Sequence, residues 1–111
     1  MKKFMALYMA PIAEMDKMMK ESTPEQRKAG MKEWMDWAKA HKEIVDIGMP
    51  LGKNKRVKKG GVEDARNDIG GYSYVEAESQ DAAAKVFVDS PHFQIPGAYI
   101  EVMECVAMPG M

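Results

Sequence analysis

The side chains able to do chemistry in this chain are few: two histidines, one cysteine, and a scatter of carboxylates and phenols. His92 sits in Ser90-Pro91-His92, a loop just ahead of an alternating segment. A histidine there can act as a general acid or base near neutral pH, or can simply be a loop histidine bonded to backbone. Glu101 lies within Tyr99-Ile100-Glu101-Val102-Met103. If it points into a closed space, desolvation raises its pKa unless a cation such as Arg66 pairs with it, so it reads either as a proton-handling or ligand group or as half of an ion pair. The two together make the candidate catalytic pair. Tyr72 and Tyr74 share one face of a strand with Met103 on a neighbouring one, giving phenols and a soft apolar contact to a ligand or to an interface. Asn67 and Asp68 precede Gly70-Gly71 and either contact a ligand or make the turn. His41 falls at the end of a helix, where the dipole already favours a cation. Cys105 has no histidine or lysine beside it to lower its pKa.

Metal and cofactor chemistry find no pattern. The histidines are not spaced as a ligand pair, and there is no CxxC, HxH or HExxH. No glycine-rich loop opens a helix, and no serine stands in a nucleophile elbow. No metal site and no cofactor are expected.

Composition bounds the rest. The 111 residues suit one domain, 1–111, with a single hydrophobic core. With 46% hydrophobic and 30% charged residues the chain is globular rather than disordered. A net charge of -1 gives no global attraction to nucleic acid or to an acidic membrane. No apolar run reaches the roughly 20 residues a membrane span needs. The opening MKKFMALYMAP has two lysines and an apolar run of about seven residues, at the bottom of the signal-peptide range, and it reads instead as a first strand. A lone cysteine favours a reducing compartment, so the expected location is cytoplasmic. Most of the 12 methionines recur at helical spacing and are expected to fill the core.

These side chains need elements to hold them. Lys2 to Met9 is expected to be a central strand buried on both faces. A short extra helix over Ile12 to Ser22 follows. Thr23, Pro24 and Gln26 form a capping signature for the main helix, with Met31, Trp34, Met35 and Ala38 as its apolar stripe and Trp37 to one side. A strand near Ile44 to Ile47 ends before Pro50. The basic stretch Lys53 to Lys59 turns at Gly60-Gly61, after which a minor strand near Val62 to Ala65 could pair with Lys55 to Lys58; its lysines also discourage edge aggregation. Gly71 to Ala77 alternates as a strand, Ser79 caps a helix through Phe87, and Ala98 to Met108 is the last strand.

The order is strand, helices, strand, strand, helix, strand. It predicts an α+β, ferredoxin-like βαββαβ fold with a four-stranded antiparallel sheet and both main helices on one face. Val75, Ala77, Ile100, Val102 and Val106 then face the helices. The other face carries Tyr72, Tyr74, Tyr99, Met103 and Cys105 with Glu76 and Glu101, too aromatic a surface to be left to water. Three occupants suit it: RNA, a second copy of the chain, or a small ligand between two such sheets. The tyrosine strand is similar to the base-stacking strand of RNA-recognition domains. It lacks that strand's basic residue, Gly70 standing there, and its last aromatic, where Ala77 stands, and its acids repel phosphate. Nucleic acid and membrane are therefore not the expected partners.

From Trp34 onward the chain resembles the YCII-related family, in particular its DGPF branch. The matching pieces are Trp34-Met35-Asp36-Trp37, Gly48-Met49-Pro50-Leu51, Gly70-Gly71-Tyr72, the helix after Ser79, Ser90-Pro91-His92 and Tyr99-Ile100-Glu101-Val102, in that order. The DGPF motif itself is absent; Ala65-Arg66-Asn67-Asp68 occupies roughly its place. The resemblance implies a ferredoxin-like subunit that dimerises through its sheet as a dimeric α+β barrel. The expected function is binding of a small, partly apolar molecule in the cleft under Tyr72, Tyr74, Glu101 and Met103. Acid–base catalysis there by His92 and Glu101 is the alternative.

Overall fold

Residues 1–110 are described by a computed structural model. The elements are β1 (Lys2–Met9), α1 (Ile12–Glu21), α2 (Pro24–Ala40), β2 (Ile44–Asp46), β3 (Asn54–Lys58), β4 (Gly61–Ala65), β5 (Ile69–Ala77), α3 (Gln80–Lys85) and β6 (Tyr99–Glu104), with a single 3-10 turn at Pro91–Gln94. The capping signature acts as its chemistry demands. Thr23 Oγ1 accepts from the Gln26 amide and Gln26 Oε1 accepts from the Thr23 amide, so two orphan donors of α2 are satisfied. Ser79 Oγ accepts from the Ala82 amide and starts α3.

Four strands form one antiparallel sheet in the order β2-β5-β1-β6, and β3-β4 form a separate two-stranded sheet. Each helical connection skips a strand. The α1–α2 segment carries the chain from β1 past β5 to β2, and α3 carries it from β5 past β1 to β6. The two segments of the minor hairpin do pair, with Lys55 opposite Asp64 and Val57 opposite Val62, and Gly60 at φ 90° in the turn.

One face of the sheet makes the core. Phe4, Ala6, Tyr8, Val75 and Ala77 pack against Trp37 of α2, Ala83 of α3, and Val86 and Phe87 just beyond it. Trp34, Ala38, Ile44, Ile100 and Val102 complete the cluster from its margin. The polar atoms inside are paired. The Tyr8 hydroxyl donates to Ser73 Oγ at 2.7 Å, and Ser73 donates to the Ile47 carbonyl at 2.6 Å. Burial pushes the Tyr8 phenol up to about 12, with the Ser73 contact opposing, so it stays neutral.

Four expectations are corrected. β1 is buried on one face only: Met5, Leu7 and Met9, which alternate with the core residues, are half-exposed. The seam of α2 is Trp34, Trp37 and Ala38, continued by His41; Trp37 is its only buried residue, while Met31 and Met35 are exposed. Positions 34, 37, 38 and 41 form as good a helical stripe as the methionine one, and two indoles bury more apolar area. The methionines are not core filler: no described methionine is buried, and α1 buries no residue. The last strand stops at Glu104 rather than Met108. The Cys105 amide still reaches the Lys3 carbonyl, but β1 has only Lys2 and Met1 left to offer, so Val106 is exposed.

Gly48 is required by geometry, and Gly70 is closely approached. Gly48 has φ 72°, and a Cβ there would lie 1.9 Å from the Tyr72 carbonyl oxygen. Gly70 sits where the β1–β5 register slips between Tyr8 and Met9, and a Cβ there would meet the Met15 sulfur at 3.0 Å. Through that contact, and through the two-pronged Arg66–Asp16 pair at 2.7 and 3.0 Å, α1 is held at the end of the sheet where β5 begins.

Candidate functional site

Strand alternation decides which residues share the uncovered face. On β1 these are Lys3, Met5, Leu7 and Met9, the partners in register of Glu76, Tyr74, Tyr72 and the Ile69 bulge on β5. On the other side Met5 pairs with Met103, Leu7 with Glu101 and Met9 with Tyr99. No helix of the core cluster lies on this face, because the cluster draws on the opposite set of strand residues. The Tyr72 and Tyr74 rings meet edge to face, 5.9 Å between centroids. The Lys3 ammonium stands 4.6 Å from the centre of the Tyr74 ring, a cation–π contact. Glu101 is exposed and, among the described residues, makes no ion pair. Arg66, the cation named for it above, pairs with Asp16 instead.

Thus Tyr72, Tyr74, Glu101 and Met103 are brought to one surface, as the alternation implied. Lys3, Met5 and Leu7 belong with them. The expectation of a β1 buried on both faces leaves them out, although their alternation with Phe4, Ala6 and Tyr8 is a signal that the sequence carries. A hollow of about 330 Å³ lies elsewhere, between the end of α2 and β2 around Ala38, Lys42 and Ile44.

His92 is not on this surface. It is buried on the helix side, edge-on to the rings of Tyr8 at 5.4 Å and Trp34 at 6.4 Å. Its Nε2 lies 2.7 Å from the Met9 carbonyl, which can only accept, so Nε2 carries the proton and donates. The sheet separates it from Glu101, and the anticipated catalytic pair is not assembled. The cause is Tyr8 and Trp34, which offer the imidazole an aromatic slot with a carbonyl at its end. Asn67 and Asp68 make the turn into β5: Asn67 Oδ1 accepts from the Ile69 amide, and the Asp68 carbonyl accepts from the Ala10 amide. His41 Nδ1 donates to the Trp37 carbonyl at 3.0 Å, and its Nε2 lies 3.4 Å from Asp89. The Trp37 indole N–H also donates to Asp89, at 3.0 Å, and is the main reason that carboxyl sits below its ordinary range. Cys105 is exposed.

The buried imidazole makes stability depend on pH. Burial lowers the His92 pKa from 6.5, with the Met9 and Tyr99 backbone contacts opposing. A histidine whose folded pKa lies below its unfolded one stabilises the fold fully above pH 6.5, and that contribution is lost as pH falls through the folded value. Urea unfolding of the protein is therefore expected to show a midpoint that declines below pH 6.5. In His92→Gln, which keeps an N–H for the Met9 carbonyl, this part of the decline should flatten. An unchanged profile in the variant would assign the acid sensitivity to other groups.

Fold and surface together define a small α+β protein with one antiparallel four-stranded sheet, helices on one side and an aromatic, methionine-bearing face on the other. No helix among the described residues is long and apolar enough to cross a membrane. Models of known protein families give no match to the chain, and no curated protein matches it.

Proposed function

We propose that this chain is a ferredoxin-like subunit of the YCII-related type, that two copies pair through their open sheet faces, and that the cleft between them binds a small, partly apolar molecule. The observation that carries this reading is the composition of the uncovered face: Met5, Leu7, Tyr72, Tyr74 and Met103 at its centre, with no element of the same chain over them. A contiguous apolar surface of this kind marks a binding surface. The strand order and the two helical crossovers support the ferredoxin-like part. A second sheet facing the first would wall a cleft between them. Within it the phenols, Lys3 and Glu101 supply polar contacts around an apolar floor. Asn67 and Asp68 fall outside, as does His92, so acid–base catalysis by His92 with Glu101 is not part of the proposal. Two glutamates on the same face, and a Tyr74 ring already occupied by Lys3, argue against stacked RNA. A cytoplasmic setting agrees with the single exposed thiol.

The test combines sedimentation velocity with titration of 1-anilinonaphthalene-8-sulfonate, an aromatic anion used as a probe. A dimer that binds the probe at saturating stoichiometry is expected. Tyr72→Ala with Tyr74→Ala should weaken probe binding at least tenfold while the mass stays that of a dimer. A dimer indifferent to the probe, and free of any small molecule in native mass spectrometry, would leave assembly without ligand binding.

A further inference from the structure

We propose that the β3–β4 hairpin is an arm that docks on a second copy of this chain, laying its basic strand against the acidic end of that copy's open sheet face. The inference rests on the face-to-face pairing proposed above and adds a second, separable contact to it.

The hairpin stands off its own body. Its ten residues are exposed except Asn54 and Ala65 at its base, and the molecule is a slab of 46 × 45 × 20 Å with a radius of gyration of 15.6 Å. A compact chain of about 100 residues has one near 13 Å. A two-stranded hairpin is marginal in water unless something packs on it. Its cross-strand pairs, Lys55–Asp64, Arg56–Glu63 and Lys58–Glu63, are solvent-exposed and contribute little. Meanwhile Val57 and Val62 are partners in register, 76% and 66% exposed, so the hairpin carries an apolar pair on one face with nothing over it. Lysines that only blunt an edge do not need such a pair.

Charge selects the occupant. Between Lys53 and Lys59 there are five cations and no acid. Among the described residues, Lys53 and Lys59 make no ion pair. The complementary surface is on the same chain but out of its own reach. Glu76 lies at the far end of β5 and Glu78 just beyond it, with Glu101 midway along β6, against one base of that face, Lys3, held over Tyr74. None of the three glutamates makes an ion pair among the described residues. The hairpin joins β5 at Asp68–Ile69, the opposite end from Glu76. A two-fold axis lying between the sheets and across the strands places the hairpin end of one copy over the glutamate end of the other. Five residues at about 3.4 Å each give the arm roughly 17 Å of reach.

The experiment mixes isotopically heavy and light protein, joins touching carboxylates and amines with a zero-length carbodiimide, and maps the products by mass spectrometry. Heavy–light links from Lys53 or Lys59 to Glu76, Glu78 or Glu101 are expected. Lys53→Glu with Lys59→Glu should weaken the dimer at least tenfold by sedimentation equilibrium with unchanged circular dichroism. Adding Glu76→Lys and Glu78→Lys to that variant should restore it. A Lys53→Glu, Lys59→Glu protein as dimeric as the parent, beside a monomeric Leu7→Glu, would overturn the arm and leave the sheet pairing standing. A monomeric parent would overturn both, and nucleic acid crosslinked to these lysines would assign them to phosphate and overturn the arm.

Discussion

Leu7→Glu is expected to turn the protein into a folded monomer. Leu7 is on the central strand of the sheet, with Tyr72 beside it on β5 and Glu101 on β6. In the single chain it is half-exposed, so a carboxylate there remains hydrated and costs the fold at most about 1 kcal/mol for the like-charge neighbour. In a sheet-to-sheet dimer the same carboxylate is enclosed beside Glu101, in both copies at once. An unpaired charge removed from water costs several kcal/mol, and each 1.4 kcal/mol is tenfold in affinity. The dimer should weaken at least a hundredfold. Sedimentation equilibrium reads this directly, with far-UV circular dichroism as the check on folding. If Leu7→Glu keeps the parent mass, the open face is not the interface, and the proposed cleft goes with it.

Phe4→Ala is expected to be the most damaging single truncation in the core. Phe4 is 0% exposed, on the buried face of β1 opposite Val75. Removing a buried phenylalanine ring loses its transfer free energy and leaves a cavity, together about 3–5 kcal/mol. Domains are stable by about 5–15 kcal/mol in all, so this single change consumes a large share. Chemical denaturation should show a much lower midpoint at unchanged slope. Met19→Ala is the contrast. Met19 is 73% exposed on a helix that buries nothing, and its change should stay within about 0.5 kcal/mol. Equal losses for the two would mean that the methionine surface is covered in solution and that β1 is not the centre of the core.

That contrast also marks the limits of reading periodicity. A 3.6-residue spacing places Met15, Met18 and Met19 near one another on α1, and it does so whether that face meets a core or water. The spacing is a local property; burial needs a partner surface, and α1 is held instead by Asp16 to Arg66 and by Met15 over Gly70. On α2 two stripes were available, and the one with the indoles faces inward because the space between β1, β5 and α3 accommodates rings.

Local chemistry was legible in the chain itself. Thr23 with Gln26, Ser79, the Gly60 turn and the alternation of β5 fix short-range hydrogen bonds and strand faces through residues no more than a few positions apart. From these came the order of elements, the antiparallel sheet, and the common face of Tyr72 and Tyr74 with Glu101 and Met103. Tertiary structure alone decided which side of the sheet each loop residue joins. His92 left the aromatic face because Tyr8, Trp34 and the Met9 carbonyl, remote in sequence, form a slot on the other side. The face of Lys3 follows from its alternation with Phe4, Ala6 and Tyr8, but only the β1–β5 register sets it opposite Glu76 and within reach of the Tyr74 ring. The place of His92 does not follow from spacing, since it depends on which surfaces of the chain come into contact.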